Sequence, residues 1–317
     1  MKIERGIMKL RAVLNRDGGT FRTTDMADFC ARTTEAFARA GKELECRIVA
    51  GSEVVGALEE ACAHSGLDGV IAGGGDGTIS AAAGLAWRAG LPLGVIPAGT
   101  MNLFARALKM PLDIHQAVEA LATSPVRSVD IATANGRPFV HQFSAGMHAR
   151  MVRMRNQMEF ASRLGKMRAS SQAVLGVILD PPRFEVAFDL DGDGKPENRD
   201  VSAISVSNNP FGANALLVQD DPAGGKLGVY FAAPVPSAGV AKLAFDILRG
   251  RLKDNEAVDH GTARTVRLHF PKHRKGALCV LDGELLRMPE YVEIRQHPGE
   301  LRVIAPAAVA TLAQAVG

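Results

Sequence analysis

The ten residues Gly69-Val-Ile-Ala-Gly-Gly-Gly-Asp-Gly-Thr78 constrain this chain most. A short apolar run (Val70, Ile71, Ala72) stops at Gly73, Gly74 and Gly75. Asp76, Gly77 and Thr78 follow, and helix-forming residues begin at Ile79. A buried strand that empties into a glycine turn at a helix N-terminus suits a phosphate. The backbone comes close, free N–H groups point at the ligand, and the helix dipole favours an anion. Asp76 is out of place there, because a carboxylate repels phosphate unless a cation lies between them. The turn therefore predicts a nucleotide bound together with a metal.

The turn sits in an alternating pattern. Residues 10–15, 44–49, 69–72 and 93–96 read as strands, and residues 25–40, 54–64, 79–88, 103–108 and 113–123 as helices, the last bracketed by Pro111 and Pro125. Such alternation predicts a parallel sheet covered by helices, with ligands at the carboxyl ends of the strands. Two more polar, glycine-bearing strand ends agree: Ala98-Gly-Thr-Met-Asn102, and Asn15 followed by Gly18-Gly-Thr20. From Arg127 the character changes to short β-rich runs, at 127–133, 138–142, 183–190, 201–207, 227–232, 265–270, 277–281, 291–296 and 301–304. These predict an antiparallel sandwich, interrupted by helical segments at 148–179 and 237–252. A chain of 317 residues exceeds one ordinary core. The expected architecture is a doubly wound parallel α/β domain over 1–126 and an antiparallel β-sandwich domain over 127–304. A C-terminal helix at 305–317 returns to the first domain, and the active site lies in the cleft between the two.

A net charge of +3 and a pI near 8.7 do not imply nucleic acid. Cys30, Cys46, Cys62 and Cys279 form no CxxC pair and are read as free thiols in a reducing compartment, not as disulfides or a zinc site. The histidines show no metal-ligating spacing. The first residues lack an apolar signal core, and no run of about eighteen apolar residues occurs. The expectation is a cytoplasmic protein that meets a membrane only at its surface.

The glycine turn lacks the third glycine of a dinucleotide fingerprint, and the chain has no GxxxxGK[ST] loop. Residues 73–78 together with Pro97-Ala-Gly-Thr-Met-Asn-Leu-Phe-Ala-Arg106, Phe143-Ser-Ala-Gly-Met147 and Leu281-Asp-Gly-Glu284 resemble the diacylglycerol kinase catalytic family. That family includes bacterial lipid kinases and the sphingosine and ceramide kinases. The resemblance implies an ATP- and Mg2+-dependent lipid kinase acting on a primary hydroxyl of diacylglycerol or a related lipid. Phosphoryl transfer needs the phosphates held in line, their charge neutralised and a proton acceptor for the hydroxyl. By resemblance Gly75, Gly77 and Thr78 hold the ATP phosphates, with Gly73, Gly74, Gly99, Thr100, Asn102, Asn15 and Ser52 nearby. Asp76 organises magnesium or its waters, and Glu284 is the proton acceptor, supported by Asp282. Without the upstream turns, Asp282-Gly283 reads as an ordinary hairpin dipeptide.

Departures from the family pattern are visible. Ile79-Ser80-Ala81 replaces Ile-Asn-Glu, and Asn102-Leu103 replaces Asn-Asp. A structural magnesium loop of the form Asp-Gly-Leu-Leu-Asp-Val reads Gly224-Gly-Lys-Leu-Gly-Val229, which leaves Asp220 and Asp221 as substitute ligands. Residues 147–168 combine Met147, Met151, Met154 and Met158 with Arg150, Arg153, Arg155, Arg163, Lys166 and Arg168. That stretch reads either as a surface for lipid headgroups and acyl chains or as a core-facing stripe with a solvated basic face. Residues 189–200 have calcium-loop spacing, but Asp200 stands in place of Glu and Pro196 interrupts. A polar hairpin tip is the better reading than a Ca2+ site. Competing functions are a NAD kinase and a non-catalytic lipid or nucleotide sensor. The sequence leaves the oligomeric state open, a homodimer included.

Overall fold

The computed structural model describes residues 7–156, 180–192, 194, 196–214, 217–272 and 276–307. They form two compact units, one running to Val129 and resuming at Leu301, the other spanning Asp130–Glu300.

In the first unit, β1 (Lys9–Asn15), β2 (Glu43–Val49), β3 (Gly69–Gly74) and β4 (Leu93–Pro97) form a parallel sheet in the order β2-β1-β3-β4. The end of β16 (Tyr291–Ile304) adds to β4 in parallel, pairing Val303 with Leu93. The helices are α1 (Met26–Arg39), α2 (Val54–Ala63), α3 (Asp76–Ala89), α4 (Leu103–Ala107) and α5 (Ile114–Thr123). α1 packs on α5, and α2 on α3. Every residue of β3 is buried, as its unbroken apolar sequence requires of a strand covered on both faces. Asp25 caps α1 by accepting the Ala27 and Asp28 N–H groups, and Asp113 caps α5 in the same way. α3 begins at Asp76, three residues before the sequence pattern suggests, so the acidic residue of the turn lies in the first turn of a helix. An acid is favourable there through the dipole, and glycine and β-branched residues hid the helix from propensity.

The second unit stacks two antiparallel sheets. One contains β5 (Val126–Ala134), β6 (Arg137–Phe139), β8 (Phe184–Leu190), β9 (Glu197–Val201), β13 (Thr265–His269) and the first part of β16. The other runs β12-β11-β10-β7-β14-β15, with β7 Gln142–Gly146, β10 Ala203–Ser207, β11 Leu227–Ala232, β12 Val258–Ala263, β14 Leu278–Leu281 and β15 Glu284–Arg287. Their facing side chains, among them Phe143, Phe188, Ile204, Phe231, Val266 and Ile294, form one buried core. Among the described residues two α-helices accompany them, α6 (Met147–Asn156) and α7 (Ser237–Leu248). α7 stops four residues short of expectation because the chain turns at Gly250, with φ of 71°. Residues 157–179 of the longer helical segment, and 308–317 of the C-terminal one, lie outside the described residues.

The free-thiol reading of all four cysteines is corrected. Cys30 of α1 and Cys46 of β2 form a disulfide across a Cα–Cα distance of 5.9 Å. Packing of α1 on β2 brings them together, which a separation of 16 residues without a CxxC motif does not signal. The cysteine argument for a reducing compartment falls with it. Cys62 and Cys279 are free. Among the described residues no helix is long and apolar enough to cross a membrane.

Candidate functional site

In the first unit the strand order reverses between β1 and β3, the position where open α/β sheets bind ligands. Asn15 ends β1, and its Nδ2 donates to Thr78 Oγ1 at 3.1 Å, which ties that strand end to the first turn of α3. Gly75 is the N-cap of α3 and makes no side-chain cap. The first bond of the helix runs from Ile79 N–H to the Gly75 carbonyl, so the N–H groups of Asp76, Gly77 and Thr78 lie ahead of its ladder. Gly73 and Gly74 close β3 beneath them. Gly99 follows β4 at such close approach that a Cβ there would sit 2.7 Å from the Gly75 Cα. Only glycine permits these two turns to touch. The loop after β1 folds over the same edge, with Thr20 N–H donating to the Ala98 carbonyl at 2.9 Å. Asp17, which sequence reasoning missed, accepts Gly51 N–H at 2.7 Å and joins the β1 loop to the exposed turn that carries Ser52. Thr100 is exposed at the end of β4.

Two of the predicted ligands have an internal task. Asp76 Oδ1 and Oδ2 accept the N–H groups of Leu103 (2.6 Å) and Asn102 (3.0 Å), and so cap the start of α4 from another helix. Asn102, nearly buried at φ of 52°, closes its own turn by exchanging bonds with Gly99 N–H and C=O at 2.9 and 3.0 Å. The rim therefore offers backbone amides and the Thr78 and Thr100 hydroxyls outward, a donor set suited to phosphate oxygens. Each Asp76 oxygen keeps lone-pair capacity beyond its one N–H bond, which fits a water of a hydrated magnesium ion brought by the nucleotide.

In the second unit β14 and β15 are joined by the two-residue turn Asp282-Gly283, both at positive φ (47° and 87°), the type I′ geometry of tight hairpins. Asp282 is only 8% exposed. Its Oδ2 accepts Val140 N–H at 2.9 Å, and its Oδ1 accepts the His141 and Gln142 N–H groups at 2.9 and 3.0 Å. Glu284, one residue past the turn, is exposed and paired with Arg137. The hairpin reading of Asp282-Gly283 is present, and Glu284 follows it as an exposed carboxylate. Arg137 lies 147 positions from Glu284, so no local pattern announces the pair.

The secondary magnesium site does not fit. Asp220 lies against Gly212, Asp221 accepts the N–H of Ala223 in its own loop, and no group of three acidic, His or Cys side chains gathers there or elsewhere among the described residues. A Cβ at Gly228, in β11, would sit 2.7 Å from Ser207 Oγ and 2.9 Å from Pro210 Cα, so that position has no room for the second carboxylate of the Asp-Gly-Leu-Leu-Asp-Val pattern. The loop is held instead by Asp130, a buried acid (1% exposed) not singled out from sequence. Its carboxylate accepts Asn209 Nδ2 (2.6 Å), Gly225 N–H (2.6 Å), Gln296 Nε2 (3.1 Å) and Gly299 N–H (2.8 Å).

Residues 189–200 form a polar hairpin between β8 and β9. Asp191 Oδ1 accepts the Arg264 and Thr265 N–H groups, and Asp200 pairs with Arg183. Asp193 and Lys195 of that loop lie outside the described residues. On α6, Ala149 and Val152 are the buried positions, packed on Val280, while Met147, Met151 and Met154 are half-buried. Met158, Arg163, Lys166 and Arg168 lie outside the described residues.

Comparison with known proteins points the same way. Residues 9–134 match the family model of the diacylglycerol kinase catalytic domain. Those residues are similar to that catalytic domain. The chain's likeness extends past that domain: it is 26% identical over 285 residues to a diacylglycerol kinase of Bacillus subtilis, covering 87% of this chain and 90% of that protein. An uncharacterized protein of Synechocystis is 28% identical over 268 residues, and this chain spans 59% of that relative's length. A solved diacylglycerol kinase of Bacillus anthracis superposes over 95% of this chain and 98% of its own with a TM-score of 0.69; at 19% identity it attests the fold alone.

Proposed function

We propose that this protein is an ATP- and magnesium-dependent lipid kinase that phosphorylates a primary hydroxyl of diacylglycerol or a related lipid. The observation that carries the reading is the uncapped N-terminus of α3, set at the β1/β3 reversal inside the residues that match the diacylglycerol kinase catalytic domain. The amides of Gly75, Gly77 and Thr78 and the Thr78 and Thr100 hydroxyls hold the ATP phosphates. Asp76 fixes the two turns against each other and would hold a hydrated magnesium ion, which would lower the negative charge on the phosphates. The lipid hydroxyl oxygen attacks the γ-phosphorus and ADP leaves. The hydroxyl proton passes to the exposed carboxylate of Glu284, which Arg137 orients. The lipid is met at a membrane surface, and the half-buried methionines of α6 beside Arg150 and Arg153 support that surface role.

The test is transfer of radiolabelled phosphate from Mg-ATP to mixed micelles holding diacylglycerol, monoacylglycerol, ceramide, sphingosine or phosphatidylglycerol, with NAD alongside and Glu284→Gln as the blank. A labelled lipid that disappears with the variant is the expected result and names the substrate class. Label on NAD alone would identify a NAD kinase. No transfer, with calorimetry still showing nucleotide or lipid binding, would identify a sensor.

A further inference from the structure

α7 of the second unit presents two large apolar side chains to solvent. Phe245 is 56% exposed and Leu248 69% exposed, and they lie three residues apart on one helical face. The opposite side of the helix is anchored, with Val240 and Leu243 buried and Leu243 in a cluster with Phe211, Tyr230 and Val258. The exposed pair is therefore not left over from poor packing. It is held out by a helix already docked through its other face.

The charges around the pair are sorted. Asp246 turns away and accepts Asn255 Nδ2, a buried residue, at 2.6 Å. Asp254 is paired with Arg251 at 3.0 Å, and Glu256 lies 3.6 Å from Lys242. Arg249 and Lys253 have no carboxylate partner among the described residues, and the Arg249 guanidinium lies 5.4 Å from the centre of the Phe245 ring. The turn after α7 thus sets two uncompensated cations beside two protruding apolar side chains. Cations at headgroup level with aromatic and aliphatic groups just beyond are the arrangement that enters a bilayer interface. A second copy of the chain is a poorer occupant: the two side chains expose roughly 200 Å2 together, well below the about 800 Å2 per partner of a stable interface.

We propose that the outer face of α7 and the turn that follows it form a surface by which this protein docks onto an anionic lipid bilayer. The choice of a bilayer rests in part on the lipid kinase reading; the surface itself does not.

The full chain is sedimented with vesicles of phosphatidylcholine alone and of phosphatidylcholine mixed with phosphatidylglycerol. Binding is expected to the anionic vesicles and to weaken in high salt. Phe245→Ser with Leu248→Ser lowers it at least about tenfold. Arg249→Glu and Lys253→Glu each lower it about fivefold or more on anionic vesicles only. Circular dichroism melting keeps its wild-type midpoint in all of these, and transfer to lipid in detergent micelles stays at the wild-type rate while transfer to vesicle-borne lipid falls. Wild-type vesicle binding by the Phe245/Leu248 double variant would overturn the proposal, as would a wild-type protein that ignores anionic vesicles. A dimer that dissociates in the double variant with vesicle binding unchanged would reassign the face to a second copy. Vesicle binding that depends on these residues in a protein without transfer activity would uphold the surface and reject the kinase.

Discussion

Replacing Asp282 by alanine separates two acids that adjoin one turn. The carboxylate accepts three backbone N–H groups at 2.9, 2.9 and 3.0 Å in a site that is 8% exposed. A hydrogen bond to a charged group contributes about 1.5–3 kcal/mol, and buried donors left without a partner add their desolvation cost. The three bonds share one side chain and do not add in full, so the loss is about 4 kcal/mol. At about 2–4 °C per kcal/mol for a unit of this size, the midpoint falls by roughly 10 °C. Asp282→Asn retains the oxygen that can serve the His141 and Gln142 amides and falls by less than half as much. Glu284→Gln touches an exposed ion pair with Arg137 and costs under about 1 kcal/mol. Urea and thermal unfolding followed by circular dichroism, run beside phosphate transfer, read both quantities. The expected pattern is a destabilised Asp282→Ala, and a stable Glu284→Gln that has lost transfer. Wild-type melting of Asp282→Ala, or a Glu284→Gln less stable than Asp282→Ala, would refute the reasoning.

Asp76→Ala removes the acceptor for two amides at the start of α4; unfolding should show a loss of about 1–2 kcal/mol together with loss of transfer, and unchanged stability would show that the cap carries nothing. Thr78→Val removes both the hydroxyl and the partner of Asn15, so initial-rate kinetics should give a KM for ATP raised about tenfold; an unchanged KM would remove Thr78 from the phosphate rim. Burial pushes the Cys62 and Cys279 thiols from 9.0 up to about 11. A folded-state value above the unfolded one stabilises fully below pH 9 and is lost as pH rises towards 11, so both thiols should resist Ellman's reagent at pH 8 until urea is added, and Cys279→Ala should flatten the alkaline decline of stability. The Cys30–Cys46 bridge closes a loop of 16 residues and should contribute about 3 kcal/mol, read as a lower urea midpoint for Cys30→Ser that vanishes when both proteins are unfolded in dithiothreitol.

The strands and most helices of the first unit were legible because burial on both faces writes them as apolar runs, and because Asp25 and Asp113 mark helix starts by side-chain chemistry. The glycine turn and the Asp-Gly hairpin were legible for a similar reason: close approach and positive φ restrict the residue type at the position itself. What stayed hidden is carried by partners distant in sequence. Asp76 meets an amide 26 residues away, Asp282 amides 140 to 142 away, and Asp130 donors from 79 to 169 away. Apart from the Asn209 and Gln296 side-chain amides at Asp130, the partners are backbone N–H groups, which every residue except proline supplies, so no sequence signal can name them.

That concealment bears on how acids in a motif are assigned roles. Asp76, Asp282 and Glu284 look equivalent as members of short acidic turns, and a resemblance gives all three to chemistry. Their surroundings divide them. Asp76 and Asp282 each have both oxygens engaged by backbone amides, so their first effect is to fix the glycine turns of one unit and the hairpin of the other. Glu284 is exposed, and the partner found for it is a side chain that can swing aside without disturbing a strand or a helix. A proton acceptor must change its partner during the reaction, and a loop anchor must not. On that requirement the proposed proton transfer falls to Glu284, and loss of stability is the expected mark of Asp282.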